Sequence, residues 1–257
     1  MASVQTIPIP MAEGAVAEAF VARPQRDTSE EHPGVLLFMD AIGLRPRIAE
    51  MAQRIADWGY VVLAPNVFFR DGTKDELAPT TDLTDPGARD EFFEAAMPRV
   101  QALTATRAEA DIPVYLETLR ALTGVAEGPV GTVGYCMGAR LAVRAANLDA
   151  GVAAVGGFHG GGLATEGDDS PHRGLADARA EFVFGHADQD RSMGPEAVAR
   201  LGEALADAGL SARNEVYEGA AHGYTMSDTA VFDEAATERA FTELEALFAR
   251  TLRVSRA

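Results

Sequence analysis

The stretch Val130–Arg140 reads Val-Gly-Thr-Val-Gly-Tyr-Cys-Met-Gly-Ala-Arg and decides the fold of this chain. Its apolar first half is typical of a buried strand, and a helical pattern starts at once after it. Gly134 and Gly138 flank Cys136 with the spacing of a nucleophile elbow, in which cysteine takes the place of the usual serine. The glycines permit a tight strand-to-helix turn, and the helix N-terminus favours a thiolate. A buried structural cysteine in an ordinary turn is the alternative interpretation.

The rest of the chain alternates buried strands with amphipathic helices. Apolar runs predict strands at residues 34–39, 60–64, 152–158, 181–185 and 213–217, and the strand that leads into the elbow begins at Pro129 or Val130. Helical spacing predicts helices at residues 46–58, 137–147, 195–208 and 229–252. Before them, residues 3–9 and 15–22 resemble two short antiparallel strands. This rhythm predicts an α/β fold with a mainly parallel sheet and helices on both faces, in one domain covering residues 1–257.

A long polar segment, residues 66–98, interrupts the alternation. Turn signals fill it, and three apolar residues near its end suggest a short amphipathic helix. A second helix is expected at 99–122, with a kink or break near Pro113. Because a loop of this length in a compact domain is usually functional, we expect it to cover a site.

Composition excludes several classes of function. The net charge of −17 argues against a nucleic-acid or anionic-membrane partner. The single cysteine excludes an internal disulfide and a cysteine zinc site, and we expect neither a metal nor a cofactor. No signal peptide and no apolar window of membrane-spanning length is apparent, so the sequence predicts a cytoplasmic protein.

A cysteine nucleophile requires a histidine to transfer the proton and a carboxylate to orient that histidine. At an elbow of this kind the chain order is nucleophile, acid, histidine. Asp188 and His222 follow predicted strands at the same sheet edge, in that order after Cys136. Asp190 is the main rival to Asp188. Among the five histidines we favour His222, and we expect His159 to line the pocket because it precedes any suitable acid.

The oxyanion of the reaction requires two N–H donors. One is expected from Met137, directly after the nucleophile, and the other from the loop after the first buried strand. Ala41 is the natural second donor in that loop. Asp40 is then placed close to Cys136, although it could instead cap the following helix.

Four short motifs together resemble the dienelactone hydrolase family, and the likeness extends from about residue 35 to 247. They are Gly-Tyr-Cys-Met-Gly at 134–138, an acidic residue before Ala-Ile-Gly at 41–43, Gly-His-Ala-Asp at 185–188, and Gly-Ala-Ala-His-Gly-Tyr at 219–224. The resemblance implies an α/β-hydrolase fold. It also implies a triad of Cys136, His222 and Asp188 that hydrolyses a small lactone or ester through a thioester acyl-enzyme.

The chain departs from the family pattern at several positions. In the family, an acidic residue at the position of Asp40, typically glutamate, contacts the resting thiol and helps to remove its proton. Arg89 falls where the family has an arginine for the substrate carboxylate. Phe93 replaces a tyrosine and Met226 replaces a second arginine, so we infer an incomplete clamp and a more apolar pocket. Tyr135 is expected in the same pocket.

Two functions are consistent with these residues. The first is a cysteine-dependent hydrolase of small esters or lactones, with a small molecule as its partner. The alternative is a non-catalytic protein that binds a small ligand on the same scaffold, suggested by the departures at positions 40, 93 and 226. A dinucleotide-binding enzyme is excluded because the glycines around the elbow lack the G-x-G-x-x-G spacing.

Overall fold

The computed structural model describes residues 4–25 and 31–252, and within these ranges eight strands form one sheet. The strands are β1 (Gln5–Pro10), β2 (Val16–Ala22), β3 (Gly34–Phe38), β4 (Val61–Pro65), β5 (Val130–Tyr135), β6 (Val152–Phe158), β7 (Glu181–Ala187) and β8 (Ala212–Tyr217). The α-helices are α1 (Pro46–Ala56), α2 (Pro86–Ala102), α3 (Ala105–Ala121), α4 (Met137–Leu148), α5 (Pro195–Asp207) and α6 (Glu234–Thr251).

The sheet has the order β1-β2-β4-β3-β5-β6-β7-β8. Strand β2 pairs antiparallel with both β1 and β4, and all other neighbours are parallel. The prediction of a mainly parallel sheet with an antiparallel N-terminal strand pair is therefore confirmed. Residue 3, where the first predicted strand begins, lies outside the described residues.

Helices cover both faces of the sheet, as two adjacent residues of β5 show. A side chain at Gly131 would contact Phe248 of α6 and Leu252, the residue that follows α6, each within 3 Å. The hydroxyl of Thr132 instead donates to the carbonyl of Ala142 in α4. Because successive side chains of a strand point to opposite faces, α4 and α6 pack on opposite sides of the sheet.

The segment after β4 differs from the sequence-based expectation. The expected short helix is the 17-residue helix α2, and the break before α3 lies at Leu103 and Thr104. Helix α3 begins directly after Thr104, because the Thr104 side chain accepts a hydrogen bond from the Arg107 N–H as an N-cap. Helix α3 continues through Pro113, so of the predicted kink or break the break is wrong. Burial of the α3 face that follows, including Tyr115, overrides the proline's tendency to interrupt a helix.

Strands β5, β7 and β8 are parallel, and their carboxyl ends therefore lie at one edge of the sheet. The turns after these three strands carry Cys136, Asp190 and His222, respectively. This edge is where open α/β sheets hold their ligands. The fold thus places three residues that are far apart in the chain at one site.

Candidate active site

Cys136 occupies the sharp turn between β5 and α4. Its backbone has φ 54° and ψ −122°, which is a strained conformation for a residue other than glycine. A side chain at Gly134 would lie 2.1 Å from the Gly138 carbonyl oxygen, and one at Gly138 would lie 2.5 Å from the Phe38 carbonyl oxygen. Both glycines are thus required for the turn to form. The geometry matches the strand–turn–helix context that a nucleophile elbow needs.

The side chains of Cys136, His222 and Asp190 form a continuous chain of contacts. His222 Nε2 lies 3.1 Å from Cys136 Sγ, and His222 Nδ1 lies 2.6 Å from Asp190 Oδ2. The other oxygen of Asp190 accepts hydrogen bonds from the N–H and the hydroxyl of Ser192, at 2.8 and 2.7 Å. These bonds fix the carboxylate, which in turn orients the imidazole toward the sulfur.

The prediction that Asp188 orients His222 is contradicted by the geometry. The Asp188 carboxylate accepts a hydrogen bond from the Gly219 N–H, and its own N–H donates to the Ala220 carbonyl. Between the two acids, Gln189 adopts a positive φ of 52°. This left-handed residue turns the chain so that Asp190, the rival named from the sequence, faces His222. Asp188 instead holds the loop that carries the histidine.

The charges at the site reinforce each other. Burial alone would lower the pKa of His222, but the Cys136 sulfur and the Asp190 carboxylate raise it to about 10. Burial alone would raise the pKa of Asp190, but hydrogen bonds from His222 and Ser192 lower it to about 2. Both shifts favour an ionised carboxylate beside a protonated imidazole at neutral pH.

Two backbone N–H groups next to Cys136 are available to an oxyanion. The Met137 N–H is at the first position of α4, where no acceptor exists within the helix. The Ala41 N–H has no acceptor within the described part of the chain. Both residues line the same cavity as Cys136. Their placement agrees with the expected donor pair, although their role remains a prediction.

Asp40 does not make the expected contact with the thiol. Arg45 binds both of its carboxylate oxygens, at 2.7 and 3.0 Å, and the N–H groups of Ile42 and Gly43 also point to Oδ1. Arg45 is held in addition by Asp228, with Nε 2.5 Å from the carboxylate. The sequence-based expectation fails because this arginine, five residues along the chain, takes the carboxylate away from Cys136. The Asp40–Arg45 ion pair instead stabilises the turn that contains Ala41.

Substituting Arg45 with methionine is expected to destabilise the protein strongly. Asp40 and Arg45 are 4% and 3% exposed, so the substitution leaves a buried carboxylate without its charged partner. We expect the free energy of unfolding, measured with urea, to fall by about 3–5 kcal/mol. Arg250→Met, which removes a more exposed ion pair with Glu181, is the control and should cost at most about 1 kcal/mol. Equal losses in the two variants would contradict this assignment.

A cavity of about 520 Å³ opens above Cys136. Helix α2 forms one wall with five side chains, from Arg89, Phe93, Met97, Val100 and Gln101. The Arg89 guanidinium stacks on the Phe93 ring, 4.7 Å from its centroid. The expectation that Arg89 and Phe93 face the site thus agrees with the structure, and the long segment after β4 does cover it.

Three other residues expected in the pocket are not among those that line it. Tyr135 is 1% exposed and stacks on Phe158, since it points to the opposite side of β5 from Cys136. His159 is fully buried beneath the site, with Nε2 bonded to the Thr225 hydroxyl at 2.7 Å. Met226 is also buried, and its sulfur contacts Arg45 at 3.3 Å. These three expectations are wrong because the side chains belong to the core.

Sequence reasoning missed two arginines that border the cavity, Arg140 and Arg191. Arg140 lies four residues after Cys136, so it stands one turn further along the same face of α4. That spacing was a signal in the sequence. With Arg89, these residues place three arginines around a cavity whose lining is otherwise mainly apolar, so the inference of a more apolar pocket stays a prediction.

Residues 4–25 and 31–252 contain no group of three or more histidine, cysteine, aspartate or glutamate side chains arranged to hold a metal ion. In the same ranges, no helix is both long and apolar enough to cross a membrane.

Comparison with known proteins places the chain in a family. The model of the dienelactone hydrolase family matches residues 17–252. A Synechocystis protein assigned as a carboxymethylenebutenolidase is 24% identical over 87% of this chain and 88% of its own length. An Escherichia coli K12 protein with the same assignment is 23% identical over 86% of this chain and 77% of its own.

Solved structures share the fold. A Klebsiella pneumoniae protein assigned as a dienelactone hydrolase superposes with a TM-score of 0.79 at 22% identity, over 96% of this chain and 98% of that chain. A dienelactone hydrolase-like promiscuous phosphotriesterase from metagenomic libraries gives 0.70 at 19% identity, over 97% and 99%. Because the family model spans nearly the whole chain, this protein belongs to the dienelactone hydrolase family of hydrolases with the α/β-hydrolase fold.

Proposed function

We propose that this protein hydrolyses small esters or lactones, with Cys136 as nucleophile, His222 as acid–base catalyst and Asp190 as the acid that orients it. The observation that carries the proposal is the unbroken chain of contacts from Asp190 through His222 to Cys136 Sγ, at 2.6 and 3.1 Å. The chain of contacts ends at a cavity large enough for a small molecule.

In the first half of the reaction, Cys136 Sγ attacks the substrate carbonyl carbon and the carbonyl oxygen becomes an oxyanion. The N–H groups of Met137 and Ala41 donate hydrogen bonds to this oxyanion. The intermediate collapses when the carbon–oxygen bond to the leaving alcohol breaks and His222 Nε2 gives that oxygen its proton. A thioester on Cys136 remains.

In the second half, His222 takes a proton from a water molecule that attacks the thioester carbonyl. The carbon–sulfur bond then breaks, the carboxylic acid leaves, and the proton on His222 again faces the Cys136 thiolate. Asp190 stays ionised throughout and stabilises the imidazolium in both halves. The cycle consumes one water molecule and restores the Cys136 thiolate beside the protonated His222.

The resting nucleophile is proposed to be a thiolate paired with the His222 imidazolium. Asp40 is bound to Arg45 and is not available to remove the thiol proton. His222 lies at hydrogen-bonding distance from the sulfur, and the raised pKa of His222 keeps its proton in place. Activation by His222 therefore replaces the activation by an acidic residue that the family resemblance implied.

The expected pH dependence of ester hydrolysis follows from the direction in which the pKa of His222 is shifted. Because the pKa of His222 is raised, its proton is present at neutral pH and lost as the pH rises through about 10. We expect kcat/KM for an alkyl ester, whose leaving group needs that proton, to fall above this pH. A p-nitrophenyl ester, whose leaving group needs none, should show no such fall. Identical alkaline limbs for the two esters would contradict the assignment of His222 as general acid.

The test of the function is turnover by the purified protein of a panel of short-chain aryl esters and simple lactones. Release of the carboxylic acid at a rate proportional to enzyme concentration is expected. The alternative is a ligand-binding protein without turnover, which the departures at positions 40, 93 and 226 suggested. Binding of these compounds without hydrolysis would favour that alternative. The cytoplasmic location and the lack of a nucleic-acid partner remain predictions.

A further inference from the structure

From Ala41 to Gly43, the backbone polar groups have partners, with one exception. The N–H groups of Ile42 and Gly43 point to Asp40 Oδ1. The Gly43 carbonyl accepts a hydrogen bond from Arg45 Nη1 at 3.1 Å. The Ala41 N–H, the expected oxyanion donor, is the exception in the described part of the chain. This N–H is therefore free to meet a substrate, and its direction depends on what holds the rest of the turn.

The two remaining carbonyls of the turn are held by Arg99, which belongs to helix α2. Arg99 Nη2 lies 3.0 Å from the Ala41 carbonyl oxygen and 3.3 Å from the Ile42 carbonyl oxygen. The guanidinium also lies over two aromatic rings, 5.1 Å from the centroid of Phe68 and 5.4 Å from that of Phe92. Phe68 is 1% exposed and belongs to the core. Stacking and hydrogen bonding together leave the Arg99 head group few other positions.

The contact with Arg99 restricts the direction of the Ala41 N–H. Only two soft dihedral angles separate this N–H from the Ala41 carbonyl that Arg99 holds. A turn released from Arg99 can rotate and move the N–H away from the position of an oxyanion. Because a displacement of about 1 Å in an active site can cost about 100-fold in rate, a bond on the outer side of the turn can affect the reaction.

Helix α2 connects this bond to the cavity. Phe93, Met97 and Val100 of α2 line the cavity together with Cys136, whereas Arg99 is not among the lining residues. Arg99 therefore acts through the turn and not by touching a substrate. The same helix supplies a wall of the cavity and the arginine that holds the oxyanion donor.

We propose that Arg99 is a positioning residue, which holds the turn so that the Ala41 N–H points at the substrate carbonyl oxygen. The proposal rests on the proposed hydrolase function and names a residue on which its oxyanion stabilisation depends. The effect of Arg99 is then confined to species that carry an oxyanion, because a neutral ligand in the cavity makes no use of the Ala41 N–H.

The test compares two inhibitors of the same shape, one of which forms an oxyanion. The Cys136 thiolate adds to the carbonyl carbon of an alkyl trifluoromethyl ketone. A carbon–sulfur bond forms, and the electron pair of the carbon–oxygen double bond moves onto the oxygen. The corresponding secondary alcohol cannot undergo this addition. Inhibition constants of the ketone and the alcohol are measured against hydrolysis of p-nitrophenyl butyrate, a neutral ester.

Arg99→Met keeps an apolar side chain beside the two rings but has no hydrogen-bond donor. We expect kcat for the ester and the affinity for the ketone each to fall by roughly 10- to 100-fold. The KM and the affinity for the alcohol should change by less than about threefold, since the lost interaction is made only with the oxyanion. Arg99→Lys keeps the charge on a shorter side chain and should show an intermediate loss.

Arg107 provides the matched control. Its Nη1 donates to the Ala102 carbonyl at the end of α2, at 3.0 Å, and not to the turn. Arg107→Met thus removes the same charge and a bond to the same helix, and should leave both inhibition constants unchanged. Circular dichroism checks that each variant is folded. If Arg99→Met does not fold, Arg99→Lys decides, since its affinity for the ketone should fall more than its affinity for the alcohol.

The possible outcomes separate this proposal from the function on which it rests. Equal losses of affinity for the ketone and the alcohol would show that Arg99 only shapes the cavity, and the positioning role would be wrong. Unchanged affinity for the ketone in Arg99→Met also overturns it. If the unaltered protein binds the alcohol but does not hydrolyse the ester, the hydrolase function fails, and this proposal fails with it. Hydrolysis whose kcat is unchanged in Arg99→Met refutes only the role of Arg99.

Discussion

Replacing Cys136 with alanine is expected to reduce kcat/KM for a p-nitrophenyl ester by about 10⁴-fold or more. The loss is large because the sulfur forms the bond on which the rest of the cycle depends, and no other cysteine exists in the chain. Residual hydrolysis would come from the oxyanion donors and from substrate binding alone. Initial rates of p-nitrophenol release at neutral pH measure the effect.

A matched serine variant separates loss of the nucleophile from loss of the fold. Cys136→Ser keeps a nucleophilic atom at the same turn but offers no thiolate, so we expect activity between that of the alanine variant and that of the native protein. Thermal unfolding should show both variants to be folded, since Cys136 is only partly buried. Activity of purified Cys136→Ala close to the native level would refute Cys136 as the nucleophile.

The second large effect is expected at Asp190. Asp190→Asn keeps the shape of the side chain but removes the charge that pairs with His222 across 2.6 Å. The imidazole then loses both its orientation and the stabilisation of its protonated form, and kcat should fall by about 10³- to 10⁴-fold. Because the raised pKa of His222 depends partly on Asp190, the alkaline limb of the alkyl-ester profile should also move to lower pH.

Asp188→Asn is the matched control, two residues away in the same loop. Its carboxylate accepts a hydrogen bond from Gly219 N–H and makes no contact with His222. We expect a modest loss of stability and a change in kcat of less than about tenfold, since the amide oxygen can still accept this bond. A larger loss of kcat in Asp188→Asn than in Asp190→Asn would reverse the assignment of the acid.

Most of the fold could be predicted because its signals are local. Continuous apolar runs such as 34–39 identify strands that are buried on both faces, and the glycines around Cys136 identify the strand–turn–helix junction. Helix α2 was underestimated because it carries Pro98 and follows several turn signals, and its exposed outer face gives weak periodicity. The helix propensity of the sequence does not reveal that α2 packs beside the cavity.

The sequence predicts those site residues whose assignment depends on their order along the chain. It does not predict those whose assignment depends on the direction in which a side chain points. Chain order paired Cys136 with His222, and the two side chains are in contact in the structure. The positive φ of Gln189 turns Asp190 rather than Asp188 toward His222, and a sequence does not show that angle. Similarly, Asp40 stands where an activating acid was expected, but it is bound to Arg45. Such contacts depend on the relative placement of loops, which spacing alone does not determine.

The central claim is that Cys136 carries an acyl group during turnover, and the mass of the protein during the reaction tests it most directly. The protein is mixed with a p-nitrophenyl ester, quenched in acid within the first turnovers, and digested for peptide mass spectrometry. We predict one added acyl group, located on the peptide that contains Cys136 and absent from Cys136→Ala. Turnover with the acyl group on a residue other than Cys136 would contradict the account. The same holds if a variant whose deacylation step is slowed turns over substrate but shows no acyl-enzyme at any quench time.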